Sequence, residues 1–436
     1  MGARETALNA LMACRVSGAW VNEAVKELSA RDRLESRDAA LAARLCYGVV
    51  QNRARLDFYL NQLYHGRKLH PVVRDVLHLG LYQIYDMDRI PASAAVNEAV
   101  ALTKKYCPGQ PKAPGLVNGV LRGAIRTKGT LAEPTSYEDK YSHPARLVAL
   151  LKQALPKGKL EPMLIADNQA PPLAVQVNTV RTTSAKLVEI LDGEGVTARA
   201  HAWCPDCLTL ENPGRLEQLK AFREGLLYVQ DPASRLSVLC AGLPETGAQV
   251  LDCCAAPGGK SFAAAMAMGG RGRIISCDIH PHKIDLIRAG AERLGFQNVE
   301  PMLRDASVFN PEWEKGMDTV IADVPCSGLG IIRKKPDIRY KDLKETEALP
   351  GLQLQILKNV SRYVRPGGVL MYSTCTVLPR ENEQVVSAFL ADNPDFAPEK
   401  LALPEVFPRN ETGMLTLIPG EYDTDGFFIC RLRRKQ

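Results

Sequence analysis

The sequence predicts a multidomain chain, with an all-α domain, a small α+β domain and a doubly wound α/β domain in that order. Three observations carry this. Apolar residues in the first third recur at helical spacing, a polar link follows them, and from about residue 227 short apolar strands alternate with helices. The boundaries fall at 1–128, 142–226 and 227–436.

In the first domain Leu41, Leu45 and Val49, then Leu56, Leu60 and Leu63, keep helical spacing. So do Val73, Leu77, Gly80, Leu81 and Ile84, and later Val117, Val120, Leu121 and Ala124. Ile90-Pro91 and the stretch from Pro108 to Pro114 interrupt the pattern. Thr127 to His143 is polar, with Gly129 and Pro134, and marks a boundary. In the second domain Leu173 to Val177 is a short strand, and Thr183 to Leu191 reads as a helix capped by Thr183 or Ser184. In the third, strands end at Leu251, Cys277, Ala322 and Ser373. Helices run from Lys260 to Met268, Lys283 to Leu294 and Leu352 to Val364. Such alternation means a parallel sheet, whose ligands bind beyond the carboxyl ends of the strands.

Composition excludes several classes. No run of eighteen apolar residues is present, so no membrane partner is expected. Arg4, Glu5 and Asn9 stand where a signal peptide needs apolar residues, and a cytoplasmic location follows as the expectation. Twelve cysteines in 436 residues suit packing or catalysis rather than a disulfide framework. Cys204-Pro205-Asp206-Cys207 has the spacing of a zinc knuckle, but no second pair follows, so it reads as a tight turn and no metal is expected. Charge is uneven. Residues 1–128 hold 19 Lys and Arg against 11 Asp and Glu, a net +8, while the remainder holds 36 against 38. Ala101 to Lys128 carries six basic residues and no acidic one. That surplus fits either a polyanion such as nucleic acid or a plain solvated face.

The chemistry lies at strand ends. Asp252-Cys253-Cys254-Ala255-Ala256-Pro257-Gly258-Gly259-Lys260 puts small residues after a buried strand and before a helix whose first amides are free. It is neither the dinucleotide fingerprint nor a P-loop. Asp278 ends the next strand, where a carboxylate can accept from both ribose hydroxyls of an adenosyl group. Asp305, after the third strand, can reach the adenine edge. One such residue is often a helix cap; three after apolar runs, with Asp323, point to a binding site. Asp323-Val324-Pro325-Cys326-Ser327-Gly328 and Ser373-Thr374-Cys375-Thr376 each set a cysteine just past a strand. Taken singly, either cysteine is more often inert core.

The loop Cys253 to Lys260, the Asp323 to Gly328 segment and the Ser373 to Thr376 strand end resemble those of the RNA cytosine-5 methyltransferases of the Nol1/Nop2/Sun group. Gln230 to Ser234, Glu381-Asn382-Glu383 and Asp425 to Phe428 fit the same pattern, and the helical first domain resembles the antiterminator NusB. The resemblance covers the whole chain. It implies a Rossmann-like class I methyltransferase domain and S-adenosyl-L-methionine as cofactor, held by Cys254, Ala255, Ala256, Pro257, Gly258, Gly259, Lys260, Asp278, Asp305 and Asp323. It also implies a 16S ribosomal RNA or small-subunit assembly intermediate as partner of a monomer. One departure is Gln176, where the family's Arg-Val-Asn segment has arginine.

The resemblance further implies the catalytic roles. Cys375 attacks carbon 6 of cytosine, Asp323 hydrogen-bonds the ring, and Cys326 takes the proton from carbon 5. Lys260 positions either Asp323 or the cofactor's carboxylate, and Arg333-Lys334-Lys335 follow the Cys326 loop where phosphates need holding. Three alternatives remain: a transfer RNA substrate, a DNA-type enzyme in which Cys326 attacks, and a non-catalytic RNA-binding assembly factor.

Overall fold

The computed structural model describes residues 2–436, which divide into two compact units. The first takes the chain up to Gln153, with Leu164–Gln169 and Ile332–Lys341; the second takes Ala154–Met163, Ala170–Ile331 and Asp342–Gln436. Among the described residues no helix is long and apolar enough to cross a membrane.

Seven long helices build the first unit: Ala3–Ser17, Val21–Arg31, Ser36–Gln51, Arg53–Leu63, Pro71–Asp86, Ala92–Tyr106 and Ala113–Arg126. The apolar stripe read from sequence is its core, with Leu45, Leu56, Leu77 and Leu121 fully buried. Gly80 sits in mid-helix because a Cβ there would lie 2.6 Å from Leu121 Cδ1, so the glycine allows two helices to approach closely. The six basic residues from Lys104 to Lys128 are all exposed.

The segment Ile332–Lys341 differs from expectation. It belongs to the first unit, and Arg333 is buried there while Lys335 lies 5.8 Å from the Trp20 ring. Buried in this way, Arg333 is not an accessible phosphate ligand. Arg339, also buried, donates from Nη1 to the carbonyls of Gln51 at 2.8 Å and Ser142 at 3.2 Å and to Asn168 Oδ1 at 3.0 Å. Its Nη2 donates to Asp167 O at 3.3 Å.

The second unit holds two sheets. Strands β1 (Leu173–Val177), β2 (Thr197–Ala200), β3 (Cys207–Glu211) and β4 (Leu227–Val229) form an antiparallel sheet in the order β2-β3-β1-β4. Thr183 accepts from Lys186 N–H and caps the helix Ser184–Gly193. Gln176 is buried under this sheet, and its Nε2 donates to Gln230 O at 3.1 Å. Gln176, the one departure from the expected family pattern, is therefore internal here.

The larger sheet contains β5 (Gln249–Asp252), β6 (Arg273–Asp278), β7 (Val299–Leu303), β8 (Met317–Asp323), β9 (Val364–Thr374), β10 (Phe396–Pro398), β11 (Met414–Leu417) and β12 (Phe427–Arg434). Its order is β10-β12-β9-β8-β5-β6-β7, with β11 pairing β12. The strands from β7 to β9 are parallel, as expected, but β12 runs antiparallel to β9. The sheet is thus mixed, which corrects the wholly parallel expectation. The helix Glu383–Asp392 leads from β9 to the outer strand β10, and β12 then returns between β10 and β9, antiparallel to both. Helices Gly259–Ala267, Pro281–Leu294 and Leu349–Ser361 cover the faces, and β5, β6, β8 and β9 all end at one edge.

Candidate active site

Asp252 closes β5 and the loop after it is strapped to both neighbouring strands. Cys253 N–H donates to Ile321 O at 3.0 Å, Ala255 N–H to Cys277 O at 2.7 Å, and Gly258 N–H to Ala255 O at 2.7 Å. Gly258 has φ +111°, and a Cβ there would stand 2.4 Å from the Phe262 ring. Only glycine fits this turn, which leaves the first amides of the helix Gly259–Ala267 beside the loop. Below the loop Ser276 Oγ donates to Ser261 Oγ at 2.7 Å, and Ser261 Oγ to Asp252 Oδ2 at 2.7 Å. Burial pushes the Asp252 carboxyl up to about 7.

Asp278 ends β6 and is nearly buried. Its Oδ1 accepts from His280 N–H at 3.1 Å, so it braces the turn into the following helix as well as facing the strand-end edge. Asp305 lies two residues beyond the end of β7, exposed, with Oδ1 bound to Ser307 N–H at 2.8 Å. It lines a cavity of about 260 Å³ floored by Leu251, Cys253 and Cys277. Phe309, Trp313 and Tyr363 form an aromatic wall, with Phe309 and Tyr363 stacked at 5.6 Å. Ile279, Leu303 and Val308 stand exposed at the rim, although each is a large apolar side chain. Sequence reasoning missed these six. Phe309 and Trp313, four residues apart beyond a strand end, were the available signal. An apolar, aromatic cavity with one carboxylate at its edge suits a flat, partly polar ring.

Asp323 ends β8 and ties three elements together. Its Oδ2 accepts from Lys260 Nζ at 2.5 Å and its Oδ1 from Ser373 Oγ at 2.8 Å. Lys260 itself is buried, with Nζ 5.0 Å over the Phe427 ring.

The two cysteine loops meet. Cys326 Sγ and Cys375 Sγ are 3.1 Å apart, and Cys375 N–H lies 3.3 Å from Cys326 Sγ. Both residues are only half-buried. The hydrogen bond with Cys375 pushes the Cys326 thiol far above its ordinary range, and burial and the Cys375 charge push the same way. Either sulfur can be the donor in this contact. Gly330 N–H donates to Cys375 O at 2.9 Å, and Gly426 N–H to Gly330 O at 2.8 Å, which brings the Asp425 to Phe428 motif behind the Cys326 loop. Elsewhere in this unit Cys204 and Cys207 are buried beside each other, remote in sequence from this pair.

Comparison with known proteins agrees with this layout. Residues 1–126 match the NusB family, residues 143–217 the RsmF/B-like ferredoxin-like domain, and residues 241–433 the family described as 16S rRNA methyltransferase RsmB/F. A probable ribosomal RNA small subunit methyltransferase B of Bacillus subtilis is 34% identical, covering 99% of this chain and 98% of its own. The ribosomal RNA small subunit methyltransferase B of Vibrio cholerae is 33% identical, covering 93% of this chain and 92% of its own. Among solved structures, PH0851 superposes with a TM-score of 0.81 at 24% identity over 99% of both chains, a likeness of fold. Identity on this scale across nearly the full length of both chains establishes that this chain belongs to the ribosomal RNA small subunit methyltransferase B family.

Proposed function

We propose that the chain methylates carbon 5 of a cytosine in 16S ribosomal RNA, with Cys375 as nucleophile. The observation that carries this reading is the 3.1 Å approach of Cys326 and Cys375 beside the Lys260–Asp323 pair. S-adenosyl-L-methionine is the family's cofactor, and when bound it supplies an electrophilic methyl group on a sulfonium. The residues suit it. The turn at Gly258 and the helix start would hold the methionine part, Asp278 the ribose, and Asp305 with the aromatic cavity the adenine.

Carbon 5 of cytosine is a weak nucleophile. A Cys375 thiolate that bonds to carbon 6 pushes the ring's double-bond electrons toward carbon 5 and the ring nitrogen. Asp323, locked by Lys260 and Ser373, accepts from the exocyclic amine and fixes the ring while charge develops. Once Cys375 is a neutral thioether, its hydrogen bond to Cys326 and its negative charge are both gone. Cys326 then releases its proton to water, and its thiolate takes the proton from methylated carbon 5. The carbon–sulfur bond breaks, the ring double bond returns, and Cys375 leaves as thiolate. One proton is released per turnover, as the overall reaction requires. The base must be unpaired or flipped to reach the pair.

The test is a denaturing gel with labelled RNA and cofactor, run with each single mutant. Cys375→Ala should abolish methylation and form no adduct. Cys326→Ala should accumulate a covalent RNA complex, because release is blocked. An adduct that persists in Cys375→Ala would transfer the nucleophile's role to Cys326, and near-normal turnover in both mutants would remove catalysis from the pair. Bisulfite sequencing of 16S ribosomal RNA from a deletion strain identifies the substrate position; unchanged 16S patterns would redirect the reading to transfer RNA.

A further inference from the structure

Three buried side chains grip the two cysteine loops from behind. Ser327 N–H donates to Glu381 Oε2 at 2.8 Å, and Gln353 Nε2 donates to the same oxygen at 3.0 Å. That Gln353 amide also donates to Pro325 O at 2.9 Å. Both flanks of Cys326 are thus tied to one carboxylate, which is completely buried. Asn382 does the same for Cys375. Its Oδ1 accepts from Thr374 Oγ1 at 2.6 Å and its Nδ2 donates to Thr376 O at 3.0 Å. Ser327 Oγ and Thr376 Oγ1, 2.8 Å apart, join the loops.

The second oxygen of Glu381, Oε1, is buried with no hydrogen-bond partner. Burying a carboxylate that is only half satisfied is unfavourable. An amide at this position would hold Ser327 equally well through its oxygen. The acid adds only its charge, on the carboxylate that accepts from the residue next to Cys326.

We propose that Glu381 is a positioning residue that fixes the Cys326 loop against Cys375 and keeps the proton of the sulfur pair on Cys326. The proposal rests on the reading of Cys375 as nucleophile, and gives that reading its direction. Two adjacent thiols of like kind have no inherent order of ionisation. A negative group beside one of them makes the other the thiolate. The titratable groups facing Cys326 are Cys375 and Tyr372 from β9, Asp323 from the end of β8, and Glu381 from the turn before the helix Glu383–Asp392. The helix Leu349–Ser361 contributes the neutral Gln353. Asp323 is neutralised by Lys260, and Tyr372 donates its hydroxyl to Glu381 O at 2.6 Å, which leaves Glu381 as the uncompensated charge on this side. The burial of Cys326 and its coupling to Cys375 act in the same sense.

The test uses the full-length protein and needs no RNA. Iodoacetamide is applied across a pH series, and peptide mass mapping reads the alkylation of Cys326 and Cys375 separately. In the unmodified protein Cys375 should react first, and the Cys326 rate should rise only at higher pH. Coincident pH midpoints for the two sulfurs would overturn the proposal without any variant. In Glu381→Gln the ratio of Cys326 to Cys375 labelling should rise, roughly tenfold for each unit by which the Cys326 thiol is released. Glu381→Asp keeps the charge and shortens the reach, so it should slow single-turnover methyl transfer while keeping the unmodified labelling ratio. A folded Glu381→Gln with an unmodified labelling ratio would refute the assignment, as would a Glu381→Asp ratio that shifts like that of Glu381→Gln. The labelling ratio and the adduct gel fail separately. A shifted ratio together with an adduct formed through Cys326 would leave the Glu381 effect standing and refute the Cys375 reading.

Discussion

Asp278 divides its carboxylate between two tasks, since one oxygen already accepts from His280 N–H at the start of the next helix. Asp278→Ala should therefore weaken S-adenosyl-L-methionine binding about tenfold to a hundredfold, the range of a charge-assisted hydrogen bond, and should also lower thermal stability slightly through the lost turn hydrogen bond. Calorimetry that returns an unchanged cofactor affinity for the folded mutant would remove Asp278 from the ribose site. Lys260 can be tested in the same way. Its ammonium is the cation that Asp323 meets at 2.5 Å, and removing it leaves a carboxylate held by Ser373 alone. Lys260→Met should lower the single-turnover methylation rate by about ten- to a hundredfold, while cofactor affinity moves less. A larger loss of affinity than of rate would place Lys260 on the cofactor instead. These residues were legible in the sequence because each stands at the end of an apolar run. Phe309, Trp313 and Tyr363 were not, because the wall they form joins residues more than fifty positions apart. Glu381 and Asn382 were visible only as a motif, since their work consists of hydrogen bonds to loops that are distant in sequence.

Strands and helices were read with small errors at their ends. The helix expected from Lys283 begins at Pro281, where a proline at the first position loses no hydrogen bond, and β9 extends back to Val364 through Pro366 and Gly367. The mixed sheet escaped notice because alternation predicts a parallel core but says nothing of a returning antiparallel strand such as β12. The chain Ser276–Ser261–Asp252 spans β5, β6 and the intervening helix, and it has a measurable signature. Burial raises Asp252 in the folded state to about 7, above its unfolded value near about 4. A raised folded value means that its contribution is fully present below about pH 4 and is lost as pH rises through about 7. Asp252→Asn has no charge to bury. Its melting temperature relative to the unmodified protein should therefore be higher at pH 8 than at pH 5 by a few degrees. A pH-independent difference between the two proteins would contradict the burial of an ionisable Asp252.

Across the whole chain, charge is the property most easily tested against function. The basic residues from Lys104 to Lys128 are exposed, so they are available to phosphates. Replacing Lys104, Lys112 and Arg122 with glutamine should weaken RNA binding and reduce the slope of log affinity against log salt by up to about three, one for each phosphate no longer neutralised. An unchanged slope would mean that this face is merely solvated. Point substitutions are preferable to deleting residues 1–128, because that deletion would also strip Ile332–Lys341 of the helices it packs among.

That segment also bears on how the protein is made. Arg339 supplies the donors for carbonyls of Gln51, Ser142 and Asp167, yet it is translated long after them. At about 5–20 residues per second, roughly ten to thirty seconds pass between the emergence of Gln169 and that of Arg339. Through that interval the carbonyls of Gln51, Ser142 and Asp167 lack these donors. Completion of the helical unit thus waits for the synthesis of β8, the Cys326 loop and residues 332–341.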